Sequence, residues 1–364
     1  MRWTKRALGI AGGALATGAA VGVLARGAKK GRASDQLDGE PLGELVPDRT
    51  STVAAEDGAP LYVAEVDPAD GSAAELAIVY VHGFALSQRS WYFQRRDLAA
   101  LTVPRVRQVF YDHRSHGRSA RAPAETHTLE QLGRDLGTVL RSLAPTGPVV
   151  LIGHSMGGMT IMSLAEQEPE LFAERISGVA LVSTAAGEVG GRGLPRGVLS
   201  RYNPVTRGVR GLASWQPGLV ELARAAGGQL TRPAVRRLAF GDRDVSPRLV
   251  DFMMDMLNDT PVQVLTEFVD TLGAHNRYAA LAGLKFAETQ VISGDADLLT
   301  QFSHAERIAA ELPNAELVRV RGAGHMAMLE QTEFVNSALI DLLQRASGRT
   351  DTRSSSRRWL WKAR

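Results

Sequence analysis

The 364-residue chain contains no cysteine. This absence excludes a disulfide-stapled scaffold, a zinc site built from four cysteines and a thiol nucleophile. It leaves the redox compartment open, because a chain without thiols tolerates either environment. Hydrophobic residues make up 44% and charged residues 22% of the sequence, a balance that excludes a disordered, collagen-like or multi-spanning membrane protein. No internal repeat is visible, and the length fits either two or three domain-sized units or a single α/β core with an insertion.

Acidic side chains are absent from residues 1–33, which carry seven basic ones. The segment 345–364 carries seven more bases against the single Asp351. Removing both ends from the total of 42 bases and 39 acids leaves 28 bases and 38 acids, so the body of the chain is acidic. A globular nucleic-acid reader needs its basic patch on the folded surface, so this distribution argues against nucleic acid as a partner. Basic ends beside an apolar segment indicate an anionic membrane instead.

That apolar segment, residues 7–25, has no charge and is just long enough to cross a bilayer as a helix. We interpret residues 1–33 as an N-terminal anchor or signal, and expect a membrane-associated protein held by this single helix. A cleaved secretory signal ending near residues 23–25 is the alternative, which predicts a secreted protein, and a disordered leader is a third interpretation. Equal positive charge on the two flanks leaves the side of the membrane open. The basic tail 347–364, with its two tryptophans, is a candidate for a second membrane contact.

After a polar linker over residues 34–49, short apolar runs alternate with amphipathic patterns. The apolar runs predict eight strands, at 50–56, 61–66, 77–81, 106–111, 149–152, 179–182, 290–292 and 316–320. The helical patterns lie at 91–101, 129–143, 156–166, 304–312 and 332–345. This alternation predicts an α/β fold with a mostly parallel central sheet flanked by helices. Residues 50–186 and 289–346 form its two parts, and the long insertion 187–288 after the sixth strand predicts a mainly helical cap above the carboxyl ends of the strands.

The sequence Gly-His-Ser-Met-Gly over 153–157 follows a predicted strand and opens a predicted helix. It has the G-x-S-x-G pattern of a nucleophile elbow in the required strand–turn–helix context. A sharp turn there holds the serine in a strained backbone conformation with its hydroxyl clear of the sheet. The helix that starts behind the serine aims N–H groups at developing negative charge. Ser155 is therefore the candidate nucleophile.

A serine nucleophile needs a base, and the base needs an orienting carboxylate; in this motif both follow the serine in the chain. Of the eight histidines, His325 alone follows an acid candidate and also closes a predicted strand. The acid is expected in the turn after the strand at 290–292, where Asp295 and Asp297 are both candidates. Because the strands are parallel, we expect both turns at the same edge of the sheet as Ser155.

An oxyanion formed at this site needs two N–H donors. One is expected from Met156, directly after the nucleophile, and the other from Phe84, in the loop after the strand at 77–81. His82 is expected to brace that loop. His113 and His116 lie in a polar loop, and we expect surface or structural roles for them.

Together these motifs resemble the lipase/esterase type of the α/β-hydrolase superfamily, from about residue 50 to residue 345. The segment 112–119 also resembles that superfamily's D-x-R-x-x-G-x-S loop. In relatives whose acid turn reads G-x-x-D the acid is the last position, so the resemblance implies Asp297, with Asp295 supporting the turn. It implies a triad and an oxyanion hole made of five residues: Ser155, Asp297, His325, Phe84 and Met156. A serine at the nucleophile position separates the chain from epoxide hydrolases and haloalkane dehalogenases, which carry aspartate there.

The expected reaction is a two-step transfer of an acyl group from a carboxylic ester to water through an acyl-enzyme, with no metal and no organic cofactor. The same triad serves carbon–carbon bond hydrolases and cofactor-free perhydrolases or haloperoxidases, which are alternative functions. A catalytically silent, membrane-tethered binding protein is an alternative of another class. Methionines group near the serine, near the histidine and in the cap, which favours a pocket for an apolar or lipid-like ester. The candidate substrate contacts are Phe84, Met253, Met256 and Met326. Acyl chain, leaving group and oligomeric state stay open.

Overall fold

A computed structural model describes residues 35, 37–189 and 232–348 of the protein. The predicted anchor at 7–25 lies outside these residues, as do positions 190–231 of the predicted cap and the tail from residue 349 onward. Within the described ranges, no helix is both long enough and apolar enough to cross a bilayer.

Eight strands form one sheet, in the spatial order β1-β2-β4-β3-β5-β6-β7-β8. The pairs β1/β2 and β2/β4 are antiparallel, and every later pair is parallel. The strands are β1 (Arg49–Ala54), β2 (Pro60–Val66), β3 (Leu76–Val81), β4 (Val106–Tyr111), β5 (Val149–His154), β6 (Ile176–Val182), β7 (Glu288–Gly294) and β8 (Glu316–Val320). The predicted α/β fold with a mostly parallel sheet is confirmed.

Helices flank this sheet and bury its central strands. They are α1 (Tyr92–Leu98), α2 (Leu129–Leu143), α3 (Met156–Gln167), α4 (Pro169–Glu174), α5 (Pro247–Asp259), α6 (Val262–Gly273), α7 (Leu281–Leu284), α8 (Phe302–Glu311), α9 (Ala327–Glu330) and α10 (Thr332–Ala346). Residues 232–239 are also helical, and 3₁₀ turns form at Gln88–Trp91 and Ala124–Thr126. Every residue of β5 is buried, as expected for a parallel strand covered on both faces. Leu136 of α2 and Ile161 of α3 pack with Leu151 of β5 in the main core.

The insertion leaves the sheet after β6 and returns to it at β7, as the sequence predicted. The two ends of the insertion, where the chain leaves the core and where it returns, lie side by side. Gly187 forms an isolated antiparallel bridge with Asn276, and the amide of Arg277 donates to the carbonyl oxygen of Ala186 at 2.6 Å. Helix α7 falls within the predicted cap interval 187–288, but its apolar side chains belong to the main core.

Helix α6 fastens the cap to the core next to the elbow. Its Val264 and Phe268 are buried in a cluster with Met156 and Met159 of α3. The ring of His127 stacks on Phe268 with centroids 4.6 Å apart. Cap and core therefore share an apolar cluster that begins directly after the candidate nucleophile.

Candidate active site

Ser155 occupies the turn between β5 and α3. Its backbone has φ 52° and ψ −116°, a left-handed conformation that L-residues adopt only under constraint. The amide of Ser155 donates to the carbonyl oxygen of Val182 at 2.9 Å, which ties the turn to β6. A Cβ atom on Gly157 would overlap the carbonyl oxygen of Val81, so only glycine lets the elbow sit this close to β3. The serine side chain is partly exposed, and α3 starts immediately behind it.

His325 and Asp297 meet at the carboxyl ends of the neighbouring strands β7 and β8. The Nδ1 atom of His325 lies 2.9 Å from Oδ2 of Asp297. The carboxyl side chain is fully buried, and the imidazole is 7% exposed. Since an ionised carboxylate only accepts hydrogen bonds, Nδ1 carries the proton and Nε2 is left as a basic lone pair. The pair thus has the orientation that a general base requires.

Three further donors hold the Asp297 carboxylate. The amides of Leu299 and Thr300 donate to Oδ1 at 2.7 and 3.0 Å, and the Thr300 hydroxyl donates to Oδ2 at 2.9 Å. Burial alone raises the pKa of Asp297, but the attraction and hydrogen bond of His325 and the two amides outweigh it, so the pKa is lowered. The carboxylate therefore stays ionised beside the imidazole. Sequence reasoning missed Thr300, because a threonine three residues after an aspartate carries no distinctive signal.

Asp295 contacts the backbone of the neighbouring turn instead of the imidazole of His325. Its Oδ1 accepts the amide of Gly322 at 2.7 Å, which joins the turn after β7 to the turn after β8. Of the two carboxylates that the sequence left as candidates, Asp297 is the one that contacts the imidazole.

His154 links the elbow to the histidine loop. Its Nε2 lies 3.0 Å from the carbonyl oxygen of His325, and the two rings are 4.8 Å apart at their centroids. A carbonyl oxygen can only accept, so this nitrogen carries the proton. Burial, followed by the neighbouring His325, lowers the pKa of His154 to about 3, so the ring is neutral. Among the described residues, the side chain of His325 contacts Asp297 and Thr300 and forms no hydrogen bond with the Ser155 hydroxyl.

The two expected oxyanion donors are the amide of Met156, directly after the serine, and the amide of Phe84, in the loop after β3. The loop after β3 passes so close that a Cβ atom on Gly83 would be 3.3 Å from Cβ of Ser155. Neither the amide of Phe84 nor that of Met156 donates to a backbone carbonyl within the described residues. His82 braces the loop as expected, since its Nε2 accepts the amide of His113 at 2.9 Å.

The first five residues after β4, 112–116, are buried rather than exposed. His113 and His116 have almost no accessible surface, so the surface role considered for them is wrong and the structural role holds. Asp112 accepts the amides of Gln88 and Arg118, at 2.7 and 2.8 Å. Asp112 thus ties its own loop to the 3₁₀ turn at Gln88–Trp91, which follows the oxyanion loop.

The four apolar side chains proposed as substrate contacts are all buried or partly buried. Phe84 is partly buried against the cluster of Met156, Val264 and Phe268. Met253 and Met256 are buried on α5, and Met326 is buried directly after His325. Phe268, with its ring centroid 6.2 Å from that of Phe84, was not singled out from the sequence. In the part of the chain that the structure describes, no group of three histidine, aspartate or glutamate side chains is arranged to hold a metal ion.

Curated relatives match different lengths of the chain. A dihydrolipoyllysine-residue acetyltransferase component of the acetoin cleaving system of Pseudomonas putida is 26% identical over 276 residues, which are 74% of this chain and 63% of that protein. An sn-1-specific diacylglycerol lipase of Mus musculus is 38% identical over 102 residues, 28% of this chain and 32% of the lipase. The chain thus spans less than two thirds of either relative.

Solved structures share the architecture. A thermophilic esterase from Thermogutta terrifontis aligns with a TM-score of 0.62 at 22% identity, covering 82% of this chain and 99% of the esterase. At that identity the likeness concerns the fold. The sequence profile described as the alpha/beta hydrolase family matches residues 78–338, well over half of the chain. That interval spans the elbow, the acid turn and the histidine loop, and the chain belongs to the alpha/beta hydrolase family.

Proposed function

We propose that the protein is a serine hydrolase that cleaves carboxylic esters with apolar acyl groups through an acyl-enzyme on Ser155. The observation that carries this proposal is the 2.9 Å contact between His325 Nδ1 and Asp297 Oδ2, in a loop bonded to the residue before Ser155. The names of several relatives, a diacylglycerol lipase and a probable esterase among them, support ester chemistry.

In the first step, Ser155 Oγ attacks the ester carbonyl while His325 Nε2 takes the hydroxyl proton. The carbonyl π-electrons move to oxygen, and the amides of Phe84 and Met156 donate to the resulting oxyanion. When the tetrahedral intermediate collapses, the imidazolium gives its proton to the leaving alcohol. Asp297 stabilises the imidazolium without taking the proton.

In the second step, water replaces the alcohol. His325 Nε2 removes a proton from the water as its oxygen attacks the acyl carbon, and the same donors hold the second oxyanion. Collapse releases the carboxylic acid and returns the proton to Ser155. Atoms balance without any redox partner: one ester and one water give one acid and one alcohol.

The acyl group is proposed to lie along the apolar side chains next to the oxyanion loop. Phe84 and Met156 supply both a donor amide and an apolar side chain, and Phe268 faces them from the cap. An apolar wall beside the nucleophile favours an aliphatic acyl chain over a polar one. Met253, Met256 and Met326 are further proposed contacts, with thioethers that adapt to a pliable chain.

A fluorophosphonate probe and p-nitrophenyl esters of graded chain length test this function together. The wild type should be labelled at Ser155, should turn over the esters, and should prefer longer acyl chains. Ser155→Ala should abolish both signals. Labelling without ester turnover would contradict ester hydrolysis and favour carbon–carbon bond hydrolysis or perhydrolysis. No labelling at all would favour a binding protein.

We also propose that residues 7–25 hold the enzyme at a membrane. The support is the uncharged 19-residue stretch with basic flanks, which is long enough for one crossing. A tethered enzyme would meet poorly soluble esters at the lipid surface.

A further inference from the structure

Glu330, at the end of the short helix α9, accepts hydrogen bonds from three backbone amides on two separate segments. Its Oε1 accepts from Gly241 at 3.0 Å and from Asp242 at 2.5 Å. Its Oε2 accepts from Gly324 at 2.8 Å and more weakly from Gly241 at 3.2 Å. Gly324 is the residue immediately before His325, whereas the other two donors belong to the inserted segment. One carboxylate therefore fastens the histidine loop to the insertion.

The two segments are in direct backbone contact at this point. The amide of Met326 donates to the carbonyl oxygen of Ala239 at 2.9 Å. A Cβ atom on Gly324 would lie 2.5 Å from the backbone nitrogen of Gly241, and one on Gly241 would overlap the carbonyl oxygen of Gly322. Contacts on either side of His325 thus hold its backbone against residues 239–242. Any displacement of that stretch moves the loop that carries the imidazole.

We propose that Glu330 is a positioning residue that sets the orientation of His325 and couples it to the inserted segment at residues 239–242. This inference rests on the proposed function, because it assigns a role in the reaction of Ser155. Glu330 acts through the backbone of Gly324 and touches no reacting atom. The opposite contact, from His154 to the carbonyl oxygen of His325, holds the same loop from the side of the elbow.

The carboxylate is required because both of its oxygens are used: Oε1 accepts only from the insertion, whereas Oε2 accepts from Gly324 and, more weakly, from Gly241. A glutamine has a single carbonyl oxygen and an NH₂ group that cannot accept a hydrogen bond from an amide. At the position of Oε1 this oxygen loses the bond to Gly324, and at the position of Oε2 it loses the bond to Asp242, so a glutamine cannot keep all three amides bonded. An alanine bonds none of them. A small displacement of a catalytic group costs up to about 100-fold in rate even when the fold is kept.

The test compares Glu330→Gln and Glu330→Ala with Glu333→Gln, a change three residues away at an exposed glutamate. Steady-state kinetics are measured on a soluble short-chain p-nitrophenyl ester, and folded fractions by thermal unfolding. A proton spectrum records the far-downfield Nδ1–H resonance of the His325–Asp297 pair. For Glu330→Gln we expect kcat to fall about 10-fold and for Glu330→Ala about 100-fold, with KM nearly unchanged and the resonance shifted or lost. Glu333→Gln should match the wild type in each measurement.

A kcat for Glu330→Gln equal to that of Glu333→Gln would overturn the inference. So would a loss of rate that disappears once activity is divided by the folded fraction, or an unchanged downfield resonance in a slow variant. The proposed function is judged separately, by probe labelling and ester turnover of the wild type. An active wild type with an unaffected Glu330→Gln variant would refute only the positioning role.

Discussion

The candidate nucleophile, Ser155, is held in a constrained backbone conformation. A left-handed conformation at a non-glycine residue costs about 1–3 kcal/mol, and Ser155 adopts it at φ 52°. The cost is offset by the packing of the elbow on β3 and by the bond from Ser155 N to Val182 O. Strain held in place this way keeps the hydroxyl pointed out of the sheet before any substrate arrives.

Removal of either the nucleophile or the base should abolish turnover. We expect Ser155→Ala and His325→Ala each to lower kcat/KM for a soluble ester by about 10³-fold or more, with thermal stability near that of the wild type. Because the two groups act in one proton transfer, the double variant should be no slower than the worse single variant. Kinetics of all four proteins check this. Losses that multiply in the double variant would show that the residues do not share a mechanism.

The two carboxylates of the acid turn should differ sharply. Asp297→Asn removes the charge that fixes the imidazole tautomer and should lower kcat by about 10³- to 10⁴-fold. Asp295→Asn keeps an oxygen that can accept the Gly322 amide and should cost less than about 10-fold. Asp295→Asn is the matched control for Asp297→Asn, because each change removes one negative charge and the two positions are only two residues apart. The reverse ranking would assign the acid to Asp295.

How far the sequence predicts the site depends on how local each feature is. Ser155 and its glycines lie within five residues, and the strand before them is a strong signal. His154 and Glu330 act through long-range hydrogen bonds to a carbonyl oxygen and to backbone amides, and Thr300 acts through bonds to a carboxylate three residues before it. No pattern in the sequence marks such partners, because each uses an ordinary residue type placed by the fold.

At the level of elements, the elbow should tolerate almost no added volume. Gly157→Ala pushes a methyl group into the carbonyl of Val81 and should destabilise the protein by about 3 kcal/mol or more. Gly283→Ala in α7 is the control, because its nearest contact is Ala165 O at 3.1 Å; it should stay within about 1 kcal/mol of the wild type. Urea unfolding measures both. Equal stability of the two variants would mean that the elbow moves away from β3 at little cost.

Elements with their own local signals were predicted most accurately. Helix α2 matches the predicted bounds 129–143, because Thr128 caps it by accepting the amide of Gln131 and its apolar positions face the core. Helix α4, six residues beginning at Pro169, was missed, because so short a segment shows no periodicity. Strand β7 runs from Glu288 to Gly294, longer than the predicted 290–292. The additional residues at its two ends belong to the strand because they pair with β6 and β8. A run of apolar residues in the sequence does not indicate such pairing.

Across the whole molecule, buried neutral imidazoles should make the fold sensitive to acid. Burial is the first cause that lowers the pKa of His113 and His154 to about 3 and of His116 and His275 to about 4, from 6.5. The unfolded chain takes up these protons first as pH falls through 6.5. The contribution of each neutral histidine to the free energy of unfolding is therefore fully present above the unfolded-state pKa. It is lost as pH falls from there toward the folded-state pKa, by at most about 1.4 kcal/mol per pH unit for each histidine.

Urea unfolding between about pH 7 and about pH 5 measures this loss. His116→Gln removes one titrating group, so its stability should fall with a slope smaller by about 1 kcal/mol per pH unit on average over this range. Its baseline stability is expected to drop as well, because His116 Nδ1 bonds the carbonyl oxygen of Arg114. An unchanged slope would mean that His116 does not resist protonation in solution.

If residues 7–25 hold the enzyme at a membrane, their removal should change how the enzyme reaches membrane-embedded esters and leave the hydrolysis step itself unchanged. A variant lacking residues 1–33 and 347–364 should no longer pellet with anionic vesicles, since it loses the apolar segment and 13 of the terminal basic side chains. It should hydrolyse vesicle-embedded long-chain esters more slowly and a soluble short-chain ester at the wild-type rate. A variant lacking only 347–364 separates the two ends. Vesicle binding retained by the double deletion would refute the tether.

The bridge between Gly187 and Asn276, with Arg277 N bonded to Ala186 O, means that the chain departs from the core and rejoins it at nearly one point. Such a closed junction makes the sheet tolerant of the length of the enclosed segment, because a change of length alters loop-closure entropy only slowly. The composition of the segment is less free, since Gly241 and Asp242 bond Glu330 and Phe268 packs with Met156. Any other insert joined at Ala186 and Arg277 would therefore have to rebuild these two contacts to keep the histidine loop and the elbow in place.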